Sequence, residues 1–466
     1  MKKFLTLSVL ILLMAQNLFS QNLNNKRVIG YYNWDNSSYP ASAIDFTNLT
    51  HICHAFLWPL ADGSLDQSQL ALYPDLITAA HNNGVKVLVS IGGYGTSTQN
   101  TGFKTMVNST AARAAFITNL VNFIKANGYD GADFDWEYPA SGDKANFTAL
   151  LTDLRTAFNS NNIPLMTAAV YNSPSAGYDV PKLNTLLDWI GIMTYDFTGS
   201  WEQPGTRLIN NSALYSTSQQ SYSIDKSVSA WVSGGMSKAK VCAGMPFYGY
   251  LMNAPDMYGS ITTTSGAKAL SYNTISSSYL NNSGWQYTFD NNTKTPYLRN
   301  SAQTQVISFD DTTSTRMKCD YINAKGLAGA IIWKIAQSYN ASAKLNPLLK
   351  TVGDFLLRNS AVSAVSSPDA AVPQDYILYQ NYPNPFNPST KIGYSLPSES
   401  HVKITVYNVL GSVVAELVNE VQPAGYREVS FNAENLSSGT YFCYMRASAL
   451  DGSREVTSIK KTLLVK

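Results

Sequence analysis

Charge, cysteine and long apolar runs are all scarce in this chain. Of 466 residues only 14% are Asp, Glu, Lys or Arg, and the formal net charge is +2. Two of the positive charges, Lys2 and Lys3, stand at the very start. A near-neutral chain without basic runs offers no electrostatic footprint for nucleic acid. The four cysteines, Cys53, Cys242, Cys319 and Cys443, are scattered and form no CxxC pair. That spacing suggests neither a zinc site nor a disulfide framework, so they read as small buried hydrophobes. No segment is apolar for the roughly 18 residues a membrane helix needs, so no stable membrane span is expected. The early run from Phe4 to Met14 follows the two lysines and precedes small Ser20. It reads as a secretory signal over residues 1–20.

What is present is a large apolar fraction, 45%, enough for the cores of two or three domains. Short apolar runs alternate with helical patterns. Strand candidates fall at 27–33, 49–57, 85–91, 130–136, 164–170, 188–195, 240–246 and 327–334. Between them, Phe116, Leu120, Phe123 and Ile124 recur at helical spacing before Gly128, and Phe147, Leu150, Leu151, Leu154 and Phe158 do the same. Eight βα units predict an α/β fold, a (β/α)8 TIM barrel over residues 26–357. The gap before the last strand is too long for one helix. Residues 251–320, rich in Tyr, Thr, Ser and Asn, read as an α+β insertion between strands 7 and 8. Residues 358–374 are Ser, Ala, Pro and Val without periodicity, a linker. From 375 to 466, period-two alternation between Gly, Pro and Asn turns predicts a small C-terminal β-sandwich.

The stretch YDGADFDWEYP, residues 129–139, carries four acids among Gly, Ala, Phe and Trp. Alternate residues of a strand point the same way. Asp133, Asp135 and Glu137 therefore share one face, and Phe134 and Trp136 the other. In a barrel strand the acids line the interior and end at the C-terminal tip, where barrel enzymes keep their sites. Stacked carboxylates raise one another's pKa, and a raised Glu can hold a proton near neutral pH as a general acid. Two other readings stand beside this one: a solvated acidic loop, or oxygen ligands for a divalent cation.

The same stretch resembles the DxxDxDxE signature of glycoside hydrolase family 18, the family of many chitinases. VIGYYNW, SIGG (Ser90–Gly93), MTYD (Met193–Asp196), GMPFYG (Gly244–Gly249) and GAIIW (Gly329–Trp333) resemble further family strand ends, in order. The resemblance implies hydrolysis of chitin or chitooligosaccharides with no cofactor and no metal. The substrate's own acetamido oxygen then acts as nucleophile. It implies Glu137 as acid and base, Asp135 holding the acetamido N–H, Asp133 sharing a proton or hydrogen bond with Asp135, and Asp130 as a structural member. Tyr195 would donate to the acetamido oxygen, Asp196 would contact sugar hydroxyls, and Trp333 would floor the sugar ring. Tyr31, Ser90 and Met193 would line the pocket, with Phe56, Gly93, Met245 and Tyr248 among the substrate contacts. Tyr31 and Met193 have plain barrel core as their lesser competing reading, and Trp201 and Tyr94 read equally as sugar-stacking or ordinary surface aromatics.

Three positions depart from the pattern: Tyr94 after SIGG, Tyr250 after PFYG and Lys334 after Trp333. They touch the outer subsites, not the acids. An endo-β-N-acetylglucosaminidase and a catalytically silent chitin-binding relative are the rival functions. The C-terminal region, with LYQNYPNPFNPSTKIGYSLP and the ending KKTLLVK, resembles the type A sorting domain of the type IX secretion system. That implies the secretion machinery as a partner and a secreted or outer-surface location in a Gram-negative bacterium. A carbohydrate-binding module is the competing reading, although the region has no Trp. A monomer is expected.

Overall fold

The computed structural model describes residues 25–465 apart from 34–38, 176, 281, 359–375, 380, 382–385 and 453. The expected signal at 1–20 lies outside the described residues, as does the expected linker, Arg358 excepted. The chain divides into two compact units between residues 359 and 360.

In the first unit eight strands close a barrel: β1 (Arg27–Tyr32), β2 (His51–Pro59), β3 (Lys86–Gly93), β4 (Gly131–Trp136), β5 (Leu165–Val170), β6 (Ile190–Ile192), β7 (Val241–Pro246) and β8 (Gly329–Trp333). Each pairs in parallel with its sequence neighbour, and β8 returns to β1 through the register Arg27↔Gly329 to Gly30↔Ile332. β6 is shorter than expected. After Ile192 the backbone folds on itself, with the Thr194 N–H bonded to Ile192 O at 2.8 Å.

The helices form where the apolar spacing predicts. α1 (Thr110–Asn127) starts at Ser109, whose side chain accepts from the Ala112 N–H, and stops at Gly128 with a left-handed φ of 77°. It buries Phe116, Leu120, Phe123 and Ile124 against the barrel wall. α2 (Lys144–Ser160) buries Phe147, Leu150, Leu151, Leu154 and Phe158. At about 1.5–3 kcal/mol per fully buried large side chain, such faces rather than helix propensity hold the outer ring in place.

Two apolar layers result. The layer between strands and helices contains Phe134 and Trp136, and Trp136 stacks on Phe103 at 4.9 Å and 13°. The layer inside the barrel contains Ile29, Tyr31, Cys53, Leu88, Met193, Tyr195, Cys242 and Ile331. All four cysteines are free and buried.

The insertion is a five-stranded antiparallel sheet of Thr263–Ser271, Tyr248–Asn253, Val306–Ser308, Thr295–Asn300 and Trp285–Asp290, in that spatial order. It begins at Tyr248, slightly earlier than the expected 251. It ends before α3 (Thr312–Ala324), which leads into β8 and belongs to the outer ring. Arg358, expected to open the linker, instead ends the turn Asp354–Arg358. Its guanidinium donates to Thr47 O at 2.9 Å and to Asn48 Oδ1, so it closes the barrel unit.

The second unit has two antiparallel sheets. One is Ile377–Leu378, Ser389–Leu396 and Gly425–Asn432. The other is Val413–Gln422, Ser400–Asn408, Gly439–Ala449 and Glu455–Leu464. Inward residues such as Tyr394, Val402, Ile404, Phe431, Cys443 and Met445 form a core of its own.

Candidate active site

β4 carries the acids. Asp133 and Asp135 are buried, at 2% and 3% exposure, while Phe134 and Trp136 face the helices. Three strands converge on Asp133. Tyr31 Oη of β1 donates to its Oδ2 at 2.7 Å, and Ser90 Oγ of β3 donates to the same oxygen at 2.9 Å. Thr167 Oγ1 of β5 donates to Oδ1 at 2.6 Å. Burial raises the Asp133 pKa, and the three hydroxyls oppose the rise.

Asp135 is the less satisfied of the two. Its Oδ1 has no hydrogen-bond partner among the described residues. Burial, then the charges of Glu137 and Asp133, push its pKa well above the ordinary carboxylate range. An unpaired buried oxygen is costly, and a ligand N–H would relieve that cost.

Glu137 follows the last residue of β4 and is partly exposed. Burial lifts its pKa to about 7, with the Asp196 charge adding to the rise and the Tyr138 hydroxyl opposing it. It is thus protonated for much of the time near neutral pH, the condition for a general acid.

Gly92 lets β3 approach this strand, and Gly93 leaves room for the Phe56 ring of β2. Both have left-handed φ, 107° and 93°. A Cβ on Gly92 would stand 2.3 Å from Asp135 O, and one on Gly93 would meet the Phe56 ring at 2.6 Å. Trp333 ends β8 with Tyr31 tilted beside it at 5.5 Å and Phe56 stacked at 5.7 Å and 19°. Among the described residues three peptides are cis without proline, Ala55–Phe56, Glu137–Tyr138 and Trp333–Lys334, and each includes an expected site residue.

The segment after β6 supplies Met193 and Tyr195, both buried in the inner layer. Burial, then the charges of Asp135 and Asp196, keep the Tyr195 hydroxyl protonated far above neutrality, so it is a hydrogen-bond donor. Asp196 Oδ1 accepts from Tyr248 Oη at 2.5 Å and Tyr250 Oη at 2.9 Å. Burial raises its pKa despite both donors. Trp201, 53% exposed, sets its edge against Tyr250 at 5.5 Å. Tyr94, following β3, is 91% exposed with its ring in solvent.

Met245 and Asp130, the latter expected only as a structural member, lie away from this cluster. Met245 packs in the strand–helix layer, because Cys242 and Gly244 occupy the inward positions of β7. It belongs to the wall, not to the site, which corrects its expected place among the substrate contacts. Asp130 precedes β4 at the opposite mouth of the barrel. It accepts from Lys86 Nζ, the Val87 N–H and His81 Nε2, each at 2.8 Å. Burial opposes ionisation there, but these three partners outweigh it and lower the pKa. A lowered carboxylate stabilises the fold above its unfolded pKa and loses that contribution as pH falls through the folded value. Asp130→Ala should therefore cost about 1–3 kcal/mol at pH 7 and little at strongly acid pH, with kcat within about twofold of the parent. Urea unfolding at two pH values, beside a rate measurement, checks it.

Thr167, Tyr138 and Tyr250 were not singled out for the site from sequence. Thr167 is the register partner of Asp133 across β4–β5, so a lone Thr in the apolar run LMTAAV was the available signal. Tyr138 touches Tyr171 edge-on at 4.9 Å, an aromatic pair after β4 and β5.

A closed parallel barrel with stacked acids at the C-terminal end of β4 is the architecture of many glycosidase folds. Residues 27–338 match the family model for glycosyl hydrolases family 18, and the chain belongs to that family. Residues 380–459 match the model of a secretion system C-terminal sorting domain, here of the type IX kind. The chain is 31% identical over 350 residues to a probable endochitinase of Caenorhabditis elegans, covering 66% of this chain and 55% of that protein. It thus spans about half the length of that curated relative. Among solved structures, the Ostrinia furnacalis Group IV chitinase superposes with a TM-score of 0.64 at 27% identity, over 71% of this chain and 99% of that one. Human YKL-39, described as a pseudo-chitinase with retained chitooligosaccharide binding properties, superposes with a TM-score of 0.64 at 26% identity over the same shares.

Proposed function

We propose that the barrel hydrolyses β-1,4 linkages between N-acetylglucosamine units of chitin, with retention and with the substrate's acetamido group as nucleophile. The observation that carries this reading is the pairing of Glu137, with a pKa lifted to about 7, and a buried Asp135 oxygen that lacks a partner among the described residues. Glu137 protonates the leaving oxygen and later takes a proton from water. Asp135 receives the acetamido N–H and offsets the charge that develops on the group as its oxygen attacks. Tyr195 donates to that oxygen, which holds it near the anomeric carbon. Trp333, with Tyr31 and Phe56 around it, floors the sugar, and Asp196 meets its hydroxyls. Asp133, held by three hydroxyls, keeps Asp135 in place and can share its proton.

A non-catalytic binding protein is the alternative that the YKL-39 likeness raises. Against it stands Glu137, whose position and proton suit an acid. Incubating the full chain with chitin oligosaccharides and with a high-mannose glycopeptide, reading products by mass and early anomers by NMR, decides among the readings. Shorter oligosaccharides appearing first as the β-anomer are expected. An initial α-anomer would sink the acetamido mechanism, cleavage of the glycopeptide alone would sink the chitin reading, and binding without products would sink the enzyme.

The sorting-domain match further supports export by the type IX route to the medium or the cell surface, with 375–466 as the signal and 359–374 as its tether.

A further inference from the structure

Behind the site lies a buried ion pair that the chemistry above does not use. Lys318 of α3 is 1% exposed. Its Nζ donates to Asp310 Oδ2 at 2.7 Å and to Ser212 Oγ at 2.8 Å. Asp310 is held in turn by Ser314 Oγ at 2.7 Å. A buried pair of charges gives up its hydration and by itself is weak evidence of a stabilising role. Its geometry has a more specific effect.

An ammonium has only protons to give, so Ser212 Oγ must accept from Lys318. The single Ser212 proton is then free for another acceptor, and it goes to Thr194 O at 2.7 Å. The neighbouring residue grips the same segment from its other end. The Asn211 N–H donates to Ser308 Oγ at 2.8 Å, while Asn211 Oδ1 accepts from the Asp196 N–H at 2.9 Å. Thr194 is also clasped to β7, where its hydroxyl exchanges hydrogen bonds with Gly244 O at 2.8 Å and the Gly244 N–H at 2.9 Å. Tyr195 is the residue between the two gripped positions. It has left the strand ladder, so these side-chain bonds hold its backbone where sheet pairing no longer does.

We propose that Ser212, oriented by the Lys318–Asp310 pair, is a positioning residue that fixes the peptide bearing Tyr195 and thereby aims the Tyr195 hydroxyl. The inference rests on the reading above that Tyr195 meets the substrate. It assigns Lys318 and Asp310 a part in the rate although neither touches the cleft.

The test is a double-mutant cycle in the full chain with chitotetraose. Ser212→Ala leaves the ion pair intact. It should lower kcat about tenfold while KM stays within about twofold, since the misaimed hydroxyl matters most in the transition state. Tyr195→Phe should cost more. The double variant should be no slower than Tyr195→Phe alone, because Ser212 acts only through that hydroxyl. Lys318→Met alone strands a buried carboxylate, so it is combined with Asp310→Leu. That pair should reproduce the Ser212→Ala loss in kcat. Multiplicative losses in the cycle, as a merely structural residue gives, or an unchanged kcat for Ser212→Ala, would overturn the proposal. A crystal structure of Ser212→Ala supplies a readout besides rate. Tyr195 Oη should move by about 1 Å, the scale on which misplacement costs rate, and an unmoved Tyr195 defeats the proposal. A parent that cuts nothing, or Tyr195→Phe as fast as the parent, instead counts against the proposed function, and the crystal structure still judges the positioning role.

Discussion

Glu137→Gln should lower kcat on chitin oligosaccharides by about 10^2 to 10^4 while leaving their affinity within about threefold. The substitution is nearly isosteric, so the floor of Trp333, Tyr31 and Phe56 is untouched. What is lost is the proton. Burial and the Asp196 charge hold that proton on Glu137 up to about pH 7. An acid works only while protonated, so the parent's kcat/KM should fall about tenfold per pH unit above that value. Asp196→Asn removes one source of the upward shift and should move this alkaline limb to lower pH. Rates from pH 5 to 9 with calorimetric binding of chitotetraose provide the measurement. A Gln variant that keeps more than about a tenth of the parent's activity would remove Glu137 from the role of acid.

The acid face of β4 was legible because two neighbouring constraints agree in the sequence. Phe134 and Trp136 demand a packed layer, and period-two alternation then forces Asp133 and Asp135 the other way. The same rule applied to β7 would have placed Met245 in the wall, since Cys242 and Gly244 take the inward positions. The motif resemblance drew it into the site instead. Contacts set by pairing between strands were harder to see. Thr167 reaches Asp133 only because β5 docks on β4 in one register, and no local pattern states that register. Tyr250 stood out as a departure, but its acceptor, Asp196, lies 54 residues earlier. The Lys318–Ser212 bond joins residues 106 apart and involves a charge that composition alone would leave on the surface. Local periodicity therefore gave the barrel, its helices and the acid strand, whereas the residues that hold and tune the site depend on long-range contacts.

A chain ending after Arg358 should keep its activity on soluble chitin oligosaccharides and fail to leave the periplasm in its native host. The first half follows from the cores. The barrel unit buries its own two apolar layers, and the C-terminal sandwich buries a third around Tyr394, Ile404 and Met445. None of the residues proposed for the site lies beyond Trp333. Ending after Arg358 rather than Leu357 matters, because Arg358 ties the last helical turn to Thr47 O and Asn48. The loss of those charge-assisted bonds would destabilise the barrel for reasons unrelated to sorting. The second half follows from residues 380–459, which match a secretion system sorting domain. If that unit instead bound carbohydrate, its removal would leave export intact and depress activity on insoluble chitin alone. Immunoblots of periplasm, cell surface and medium, beside rates on soluble and insoluble substrate, separate the two. Truncated protein appearing in the medium at the parent's level would defeat the sorting role. Equal rates on insoluble chitin, with the protein retained in the periplasm, would exclude a binding module.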